Sequence, residues 1–122
     1  MSLRILIVDD ETAIRKMLAV VFRKAGYEVW SAADASEAMK VLAIERVDVV
    51  LSDVVMNSVN GHDLAQWVAQ NHPSIPCVLM TGFDDRGCND CPFASGCIHL
   101  YKPFQPQDAI RVVGQAIRNS RE

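Results

Sequence analysis

The chain has 122 residues, of which 50% are hydrophobic and 22% are charged. These proportions are ordinary for a globular protein. The length fits one domain over residues 1–122. A formal net charge of −3 gives no reason to expect direct nucleic-acid binding. No apolar run approaches the roughly 20 residues that span a bilayer, and the N-terminal run is short and ends in two acids, unlike a cleavable signal. We therefore expect a cytoplasmic chain without membrane contact.

Short apolar runs alternate with segments of helical periodicity along the chain. The runs lie at residues 4–8, 28–32, 47–53, 77–81 and 98–102. Helices are predicted over 12–25, from a capping-box-like start at Asp34 and Glu37, through Leu64 to Asn71, and from Pro106 onwards. Strands and helices that alternate at this spacing predict βαβ units, hence an α/β fold with helices on both faces of a parallel sheet.

Polar side chains stand where four of the apolar runs end. Asp9 and Asp10 follow the first run, Asp53 ends the third, Thr81 the fourth and Lys102 the fifth. A single aspartate at a strand end often does no more than begin a turn. In open α/β sheets, however, the functional site lies at the carboxyl ends of the strands. We therefore expect these five side chains to converge at one edge of the sheet.

Three carboxylates at one edge need compensation. Asp9, Asp10 and Asp53 would repel one another when ionised, and burial would increase that cost. Mg²⁺ removes the difficulty because it binds a few carboxylates together with water and phosphate oxygens. A carboxylate can also attack phosphorus to give an aspartyl-phosphate, and a metal ion and the ammonium of Lys102 would neutralise the charge that is transferred. The cluster therefore indicates metal-dependent phosphoryl transfer.

Four short motifs contain or adjoin these residues: VDD at 8–10, LSDVVM at 51–56 followed by Gly61, MTG at 80–82, and YKPF at 101–104. Each motif alone is weak, but their order and spacing are highly specific. Together they resemble the receiver domain of two-component response regulators. The resemblance covers essentially the whole chain, as a single receiver domain. It implies a flavodoxin-like, doubly wound five-stranded parallel sheet of order 2-1-3-4-5.

The resemblance implies that Asp53 is the phosphoacceptor. It would take a phosphoryl group from the phosphohistidine of a sensor histidine kinase. Mg²⁺ is expected on Asp10, Asp53 and the backbone carbonyl of Val55, with Asp9 assisting through water. Such a chain is a phosphoacceptor and not an enzyme acting on a separate substrate, and it would signal to a downstream protein or a fused domain.

The remaining motif residues are implied to sense the phosphoryl group. Lys102 is expected to contact a phosphate oxygen, and Thr81 is the expected switch hydroxyl. Tyr101 is the aromatic residue expected to change rotamer. The Lys102–Pro103 peptide is expected to be cis, as in relatives.

The segment between Thr81 and Lys102 departs from the family pattern. Where the family has its fourth helix, residues 82–101 contain three glycines, a proline and three cysteines with little helical periodicity. We expect that helix to be atypical, that is short, displaced or absent. Asn57 also stands where the family usually has a proline, which favours a more mobile loop after Asp53.

Cys88, Cys91, Cys97 and His99 have the spacing C-x2-C-x5-C-x-H. Four such side chains could bind Zn²⁺, although the spacing matches no strong zinc signature. Two of the thiols could instead form a redox pair. Reduced cysteines packed in a tight loop are the third interpretation, and the sequence leaves all three open.

Three functions compete on these observations. The leading hypothesis is a signalling module switched by phosphorylation of Asp53. The second is a redox- or metal-sensing module on the same scaffold, controlled through the cysteine segment. The third is a phosphatase-like hydrolase with Asp9 as nucleophile, which is disfavoured because Glu11 stands where such enzymes usually have a second aspartate.

Overall fold

The computed structural model describes residues 2–54, 61–81 and 98–120. In chain order these ranges contain β1 (Arg4–Val8), α1 (Thr12–Lys24), β2 (Glu28–Ala32), α2 (Ala35–Ile44), β3 (Val49–Asp53), α3 (Gly61–Asn71), β4 (Cys77–Thr81), β5 (Ile98–Tyr101) and α4 (Pro106–Ser120). Helix α4 follows β5. The place of the family's fourth helix, between β4 and β5, lies outside the described residues, and so does the prediction that this helix is atypical.

All five strands join one parallel sheet in the order β2-β1-β3-β4-β5. The register aligns their carboxyl ends, because Val8 pairs with both Ala32 and Ser52, Asp53 pairs with Met80, and the last residues of β4 and β5 pair with each other. The sheet order and the α/β class confirm the predicted flavodoxin-like architecture. The carboxyl ends of the strands therefore lie at the same edge of the sheet.

Strands β1 and β3 lie at the centre of the molecule and are buried on both faces. In β1, Ile5 and Ile7 pack with α1 and α4, whereas Leu6 and Val8 pack with α2 and α3. This alternation follows from the two-residue period of a strand. It explains why the runs in the sequence are continuously apolar, as is typical of a parallel sheet covered by helices on both faces.

Helix α1 begins at Thr12, directly after the three acids that follow β1. Leu18 and Phe22 lie on its buried face, four residues apart. The helix ends where Gly26 adopts a φ of 97°, a backbone conformation that favours glycine. The apolar face of α1 therefore fixes the helix against the sheet. The β1–α1 loop, residues 9–11, lies at the carboxyl ends of the strands.

Helix α2 has the predicted capping interactions, with one difference. Asp34 Oδ1 accepts the Glu37 N–H at 2.8 Å, as in a capping box. The Glu37 carboxylate reaches one residue farther than in the usual motif and accepts the Ala33 N–H at 2.7 Å. The two carboxylates thereby bind backbone donors at and before the helix start.

Element boundaries differ from the predictions by one or two residues. Strand β3 begins at Val49 and β5 ends at Tyr101, whereas the apolar runs predicted a start at 47 and an end at 102. The Lys102–Pro103 peptide is cis, which confirms the expectation. Among the helices of the described ranges, none is long and apolar enough to cross a membrane.

Candidate functional site

Asp9 lies one residue beyond β1, and its side chain is buried among the strand ends. Its N–H continues the sheet by donating to the Ala32 carbonyl at 3.1 Å. Its Oδ1 accepts the Glu11 N–H at 2.9 Å, which turns the chain into α1. Its Oδ2 is buried without a hydrogen-bond partner in the described part of the chain. One oxygen of this carboxylate is therefore available to accept a hydrogen bond from a ligand or to interact with a cation.

Asp53 is the last residue of β3, the strand in which every residue is buried. Its backbone is fixed by the ladder to β4 and by the next residue, since the Val54 N–H donates to the Met80 carbonyl at 3.0 Å. Lys102, just after β5, donates from Nζ to Asp53 Oδ1 at 3.2 Å. An ammonium and a carboxylate that are 49 residues apart in sequence thus meet at the sheet edge.

Asp9, Asp10 and Asp53 form a carboxylate cluster in which one oxygen of each lies within 4.8 Å of the others. The pKa of Asp9 is raised from its ordinary value of 3.8 to about 6, chiefly by burial. The charges of Asp53 and Asp10 also raise it, whereas the hydrogen bond from the Glu11 N–H and the charge of Lys102 lower it. One ammonium cannot balance three carboxylates. The excess negative charge and the unpaired Asp9 Oδ2 fit a hard divalent cation such as Mg²⁺.

Thr81 and Tyr101 end the two strands on the far side of Asp53. They pair across β4 and β5 in the register of the sheet. Tyr101 is 63% exposed. Its ring stacks on that of His99 with centroids 6.1 Å apart, because residues two apart in a strand share a face. Tyr101 therefore lies at the surface, at the end of the strand that leads to Lys102.

Val55 and the three cysteines of the predicted sites lie outside the described part of the chain. Val55, whose carbonyl is an expected Mg²⁺ ligand, follows the described range that ends at residue 54. Cys88, Cys91 and Cys97 fall within residues 82–97. His99 lies in β5 and is described, but its three expected partners are not. The Zn²⁺ and redox interpretations of the cysteine segment therefore remain sequence predictions.

Two residues that the sequence analysis did not select support the backbone of the site. Ser52 is buried, and its hydroxyl donates to the Asp53 carbonyl at 3.0 Å. A hydroxyl within an apolar run signals such a bond, because buried polar groups need partners. Arg15 donates to the Asp9 carbonyl from α1. Nothing in the helical pattern of α1 distinguishes this arginine from its exposed neighbour Lys16.

Comparison with known proteins places these features in a family. The model of the response regulator receiver domain matches residues 5–113. The DNA-binding transcriptional regulator NtrC of Escherichia coli K12 is 31% identical over 117 residues, which are 95% of this chain and 25% of that protein. The transcriptional regulatory protein PdtaR of Mycobacterium tuberculosis H37Rv is 35% identical over 121 residues, which are 98% of this chain and 58% of that protein. The chain thus spans a quarter of one relative and little more than half of the other.

Solved structures agree with the sequence matches. A CheY-like receiver domain protein from Methanospirillum hungatei superimposes with a TM-score of 0.91 at 25% identity, covering 99% of this chain and 98% of that one. The chemotaxis protein CheY4 of Vibrio cholerae gives a TM-score of 0.87 at 29% identity, covering 95% of this chain and 99% of that one. The similarity extends through the whole sheet and its helices.

Proposed function

The chain belongs to the receiver family of response regulators, which act in two-component phosphoryl-acceptor signalling, and from that premise we propose that Asp53 accepts a phosphoryl group from the phosphohistidine of a sensor histidine kinase. The observation that carries the proposal is the cluster itself. Asp9, Asp10 and Asp53 bring carboxylate oxygens within 4.8 Å of one another, and Lys102 Nζ lies 3.2 Å from Asp53 Oδ1.

Receiver domains bind Mg²⁺ through acidic residues, and the donors present here fit that ion. We assign Asp10, Asp53 and the Val55 carbonyl as direct ligands, with Asp9 acting through a water molecule. When bound, Mg²⁺ supplies positive charge that neutralises the phosphoryl oxygens and the carboxylates together. The buried, unpartnered Asp9 Oδ2 supports this assignment, since a carboxylate oxygen in that position lacks compensation from the described residues.

The chemistry then requires little more than positioning by the residues of the chain. A carboxylate oxygen of Asp53 attacks the phosphorus in line with the P–N bond of the phosphohistidine. That bond breaks, its electron pair returns to the imidazole, and an aspartyl-phosphate remains. The Lys102 ammonium stays protonated and donates a hydrogen bond to a phosphoryl oxygen.

The switch follows from the strand ends beyond Asp53. We propose that the Thr81 hydroxyl donates to the new phosphoryl group and that Tyr101 moves inward behind it. The exposure of Tyr101 supports this, because an aromatic residue that is 63% exposed gains buried area when its ring turns inward. The surface that a partner meets is thereby altered without unfolding of the sheet.

The partners follow from the same proposal. The chain acts in the cytoplasm as one receiver domain over residues 1–122, with a histidine kinase upstream and a downstream protein or a fused domain as its output. It acts as a phosphoacceptor and does not itself contact nucleic acid. NtrC is described as DNA-binding, but the match covers 25% of that protein, so DNA binding is not transferred to this chain.

Intact-mass measurement tests the proposal. Native protein and Asp53→Asn are incubated with Mg²⁺ and a small phosphodonor such as acetyl phosphate, with and without EDTA. Native protein should gain the mass of one phosphoryl group, removable by hydroxylamine, and EDTA should prevent the gain. Asp53→Asn should gain none. Labelling of Asp53→Asn to the native extent would refute the assignment of the nucleophile.

A further inference from the structure

The peptide unit that joins Asp9 to Asp10 is held by hydrogen bonds on the Asp9 side. The Asp9 N–H donates to the Ala32 carbonyl at 3.1 Å, and Asp9 Oδ1 accepts the Glu11 N–H at 2.9 Å. The Asp9 carbonyl oxygen accepts a hydrogen bond from Arg15 Nη1. Because a peptide unit is planar, fixing this carbonyl also fixes the direction in which the chain enters Asp10.

The Asp10 carboxylate depends on that direction. Within residues 2–54, 61–81 and 98–120, no side-chain hydrogen bond or ion pair holds it. Its place beside Asp9 and Asp53, within 4.8 Å, is therefore set by its backbone.

Arg15 reaches the Asp9 carbonyl from the first turn of α1. Its Nη2 donates at 3.2 Å to Oγ1 of Thr12, which lies three residues earlier on the same side of the helix. The planar guanidinium thus spans a backbone acceptor in the loop and a side-chain acceptor on the helix. This fork ties the β1–α1 loop to a helix that is itself anchored in the core.

We propose that Arg15 is a positioning residue for the Mg²⁺ site, which holds the Asp9–Asp10 peptide so that the Asp10 carboxylate meets those of Asp9 and Asp53. This inference rests on the proposed function of the carboxylate cluster. It assigns to Arg15 an effect on metal affinity that passes through the backbone and not through its charge.

The charge and the hydrogen bond of Arg15 predict effects of opposite sign. A cation near the cluster repels Mg²⁺, so loss of the charge alone would tighten Mg²⁺ binding slightly. Loss of the hydrogen bond would release the peptide and weaken binding, as removal of groups that orient metal ligands does by about 10–100-fold. Lys16 provides the matched control, because it is the next residue, is exposed, and has no such bond in the described ranges.

The test is a Mg²⁺ titration followed by amide NMR on native protein, Arg15→Met, Arg15→Lys, Lys16→Met and Asp10→Ala. Urea unfolding without Mg²⁺ measures the stability of each variant separately. Arg15→Met should bind Mg²⁺ about tenfold more weakly while remaining folded. Lys16→Met should bind as native or slightly more tightly. Arg15→Lys should fall between native and Arg15→Met, because an ammonium can bind one acceptor but does not span both. Asp10→Ala, which removes a proposed ligand, should show no Mg²⁺ binding at the site and serves as the reference for complete loss.

The outcomes separate the inference from the function on which it rests. Native or tighter Mg²⁺ affinity in a folded Arg15→Met protein would overturn the role of Arg15 and leave the proposed function standing. If Arg15→Met does not fold, Arg15→Lys takes its place, with weaker binding expected and native affinity overturning the inference. Absence of Mg²⁺ binding by native protein would overturn the proposed function and this inference together.

Discussion

Asp9 is held in a state that opposes folding when no metal is bound. Its side chain is buried, Oδ2 lacks a partner among the described residues, and burial raises its pKa from 3.8 to about 6. Near neutral pH the carboxylate is charged in surroundings that favour its protonated form. Such a residue reduces the stability of the free protein, and a cation bound beside it would offset that cost. Its presence is therefore better explained by function than by stability.

Asp9→Asn should stabilise the metal-free protein near neutral pH, by about 1–3 kcal/mol, since one unit of pKa shift corresponds to about 1.4 kcal/mol. Asn can still accept the Glu11 N–H. As pH rises from 3.8 towards 6, the unfolded native chain releases the Asp9 proton before the folded chain does, so native stability falls through this window. The variant lacks this component. Urea unfolding with EDTA at several pH values measures both effects, and identical pH profiles for the two proteins would contradict the raised pKa.

Lys102 is the cation that the structure places on the proposed nucleophile. Lys102→Met keeps much of the side-chain length but removes the ammonium 3.2 Å from Asp53 Oδ1. Phosphoryl uptake from a small donor should slow on the order of 100-fold, because the negative charge on the phosphoryl oxygens is no longer stabilised by the Lys102 ammonium. Lys40→Met, which removes an exposed cation from α2, should react at the native rate. Equal rates for the two variants would show that Lys102 has no part in the reaction.

At the scale of elements, the apolar runs predicted all five strands, with the last residue of β1 to β4 correct and that of β5 one residue too late. The central strands β1 and β3 are buried on both faces, so their sequences are largely apolar runs and are easily recognised. The capping pair at Asp34 and Glu37 was equally visible, because it acts within one helical turn. The sheet order came from the family resemblance, since alternation of strands and helices predicts a parallel sheet without fixing which strands are neighbours.

Hydrogen bonds and ion pairs between distant segments outside the carboxylate cluster were the part that the sequence did not predict. Arg4 donates from Nε to Glu28 at 2.9 Å, and its N–H donates to Asp48 at 2.8 Å, so that it joins residues 24 and 44 positions away. The hydrogen bond from Arg15 to the Asp9 carbonyl likewise becomes visible only in the folded structure, where the β1–α1 loop lies beside α1. Periodicity identifies which face of an element is buried, but it carries no information about which polar groups meet at its ends.

The cap of α2 offers a test of the element boundaries. Asp34→Ala should destabilise the protein by about 1 kcal/mol, because the Glu37 N–H loses its acceptor at the start of the helix. Ser36→Ala changes an exposed residue two positions later and is the control, with stability expected to stay within about 0.5 kcal/mol of native. Urea unfolding measures both. Equal stability of the two variants would mean that the cap does not stabilise α2.

At the scale of the whole molecule, the parallel sheet connects folding to metal binding. The cluster is assembled from the ends of β1 and β3, which form the centre of the fold. A cation that binds only the folded chain must stabilise it, by about 2.7 kcal/mol at a concentration 100 times the dissociation constant. Mg²⁺ should therefore raise the midpoint of thermal unfolding of native protein. Asp10→Ala should show no such rise, and an equal rise in both would place the bound ion elsewhere.

The central claim is that Asp53, and not another acid of the cluster, forms the aspartyl-phosphate. The most direct measurement is to phosphorylate native protein in Mg²⁺, reduce it with borohydride, digest it and sequence the peptides by mass spectrometry. Reduction converts a phosphorylated aspartate to homoserine, so the modified position is marked. We predict homoserine at position 53, with Asp9 and Asp10 unchanged. Homoserine at position 9 or 10, with Asp53 unchanged, would contradict the account.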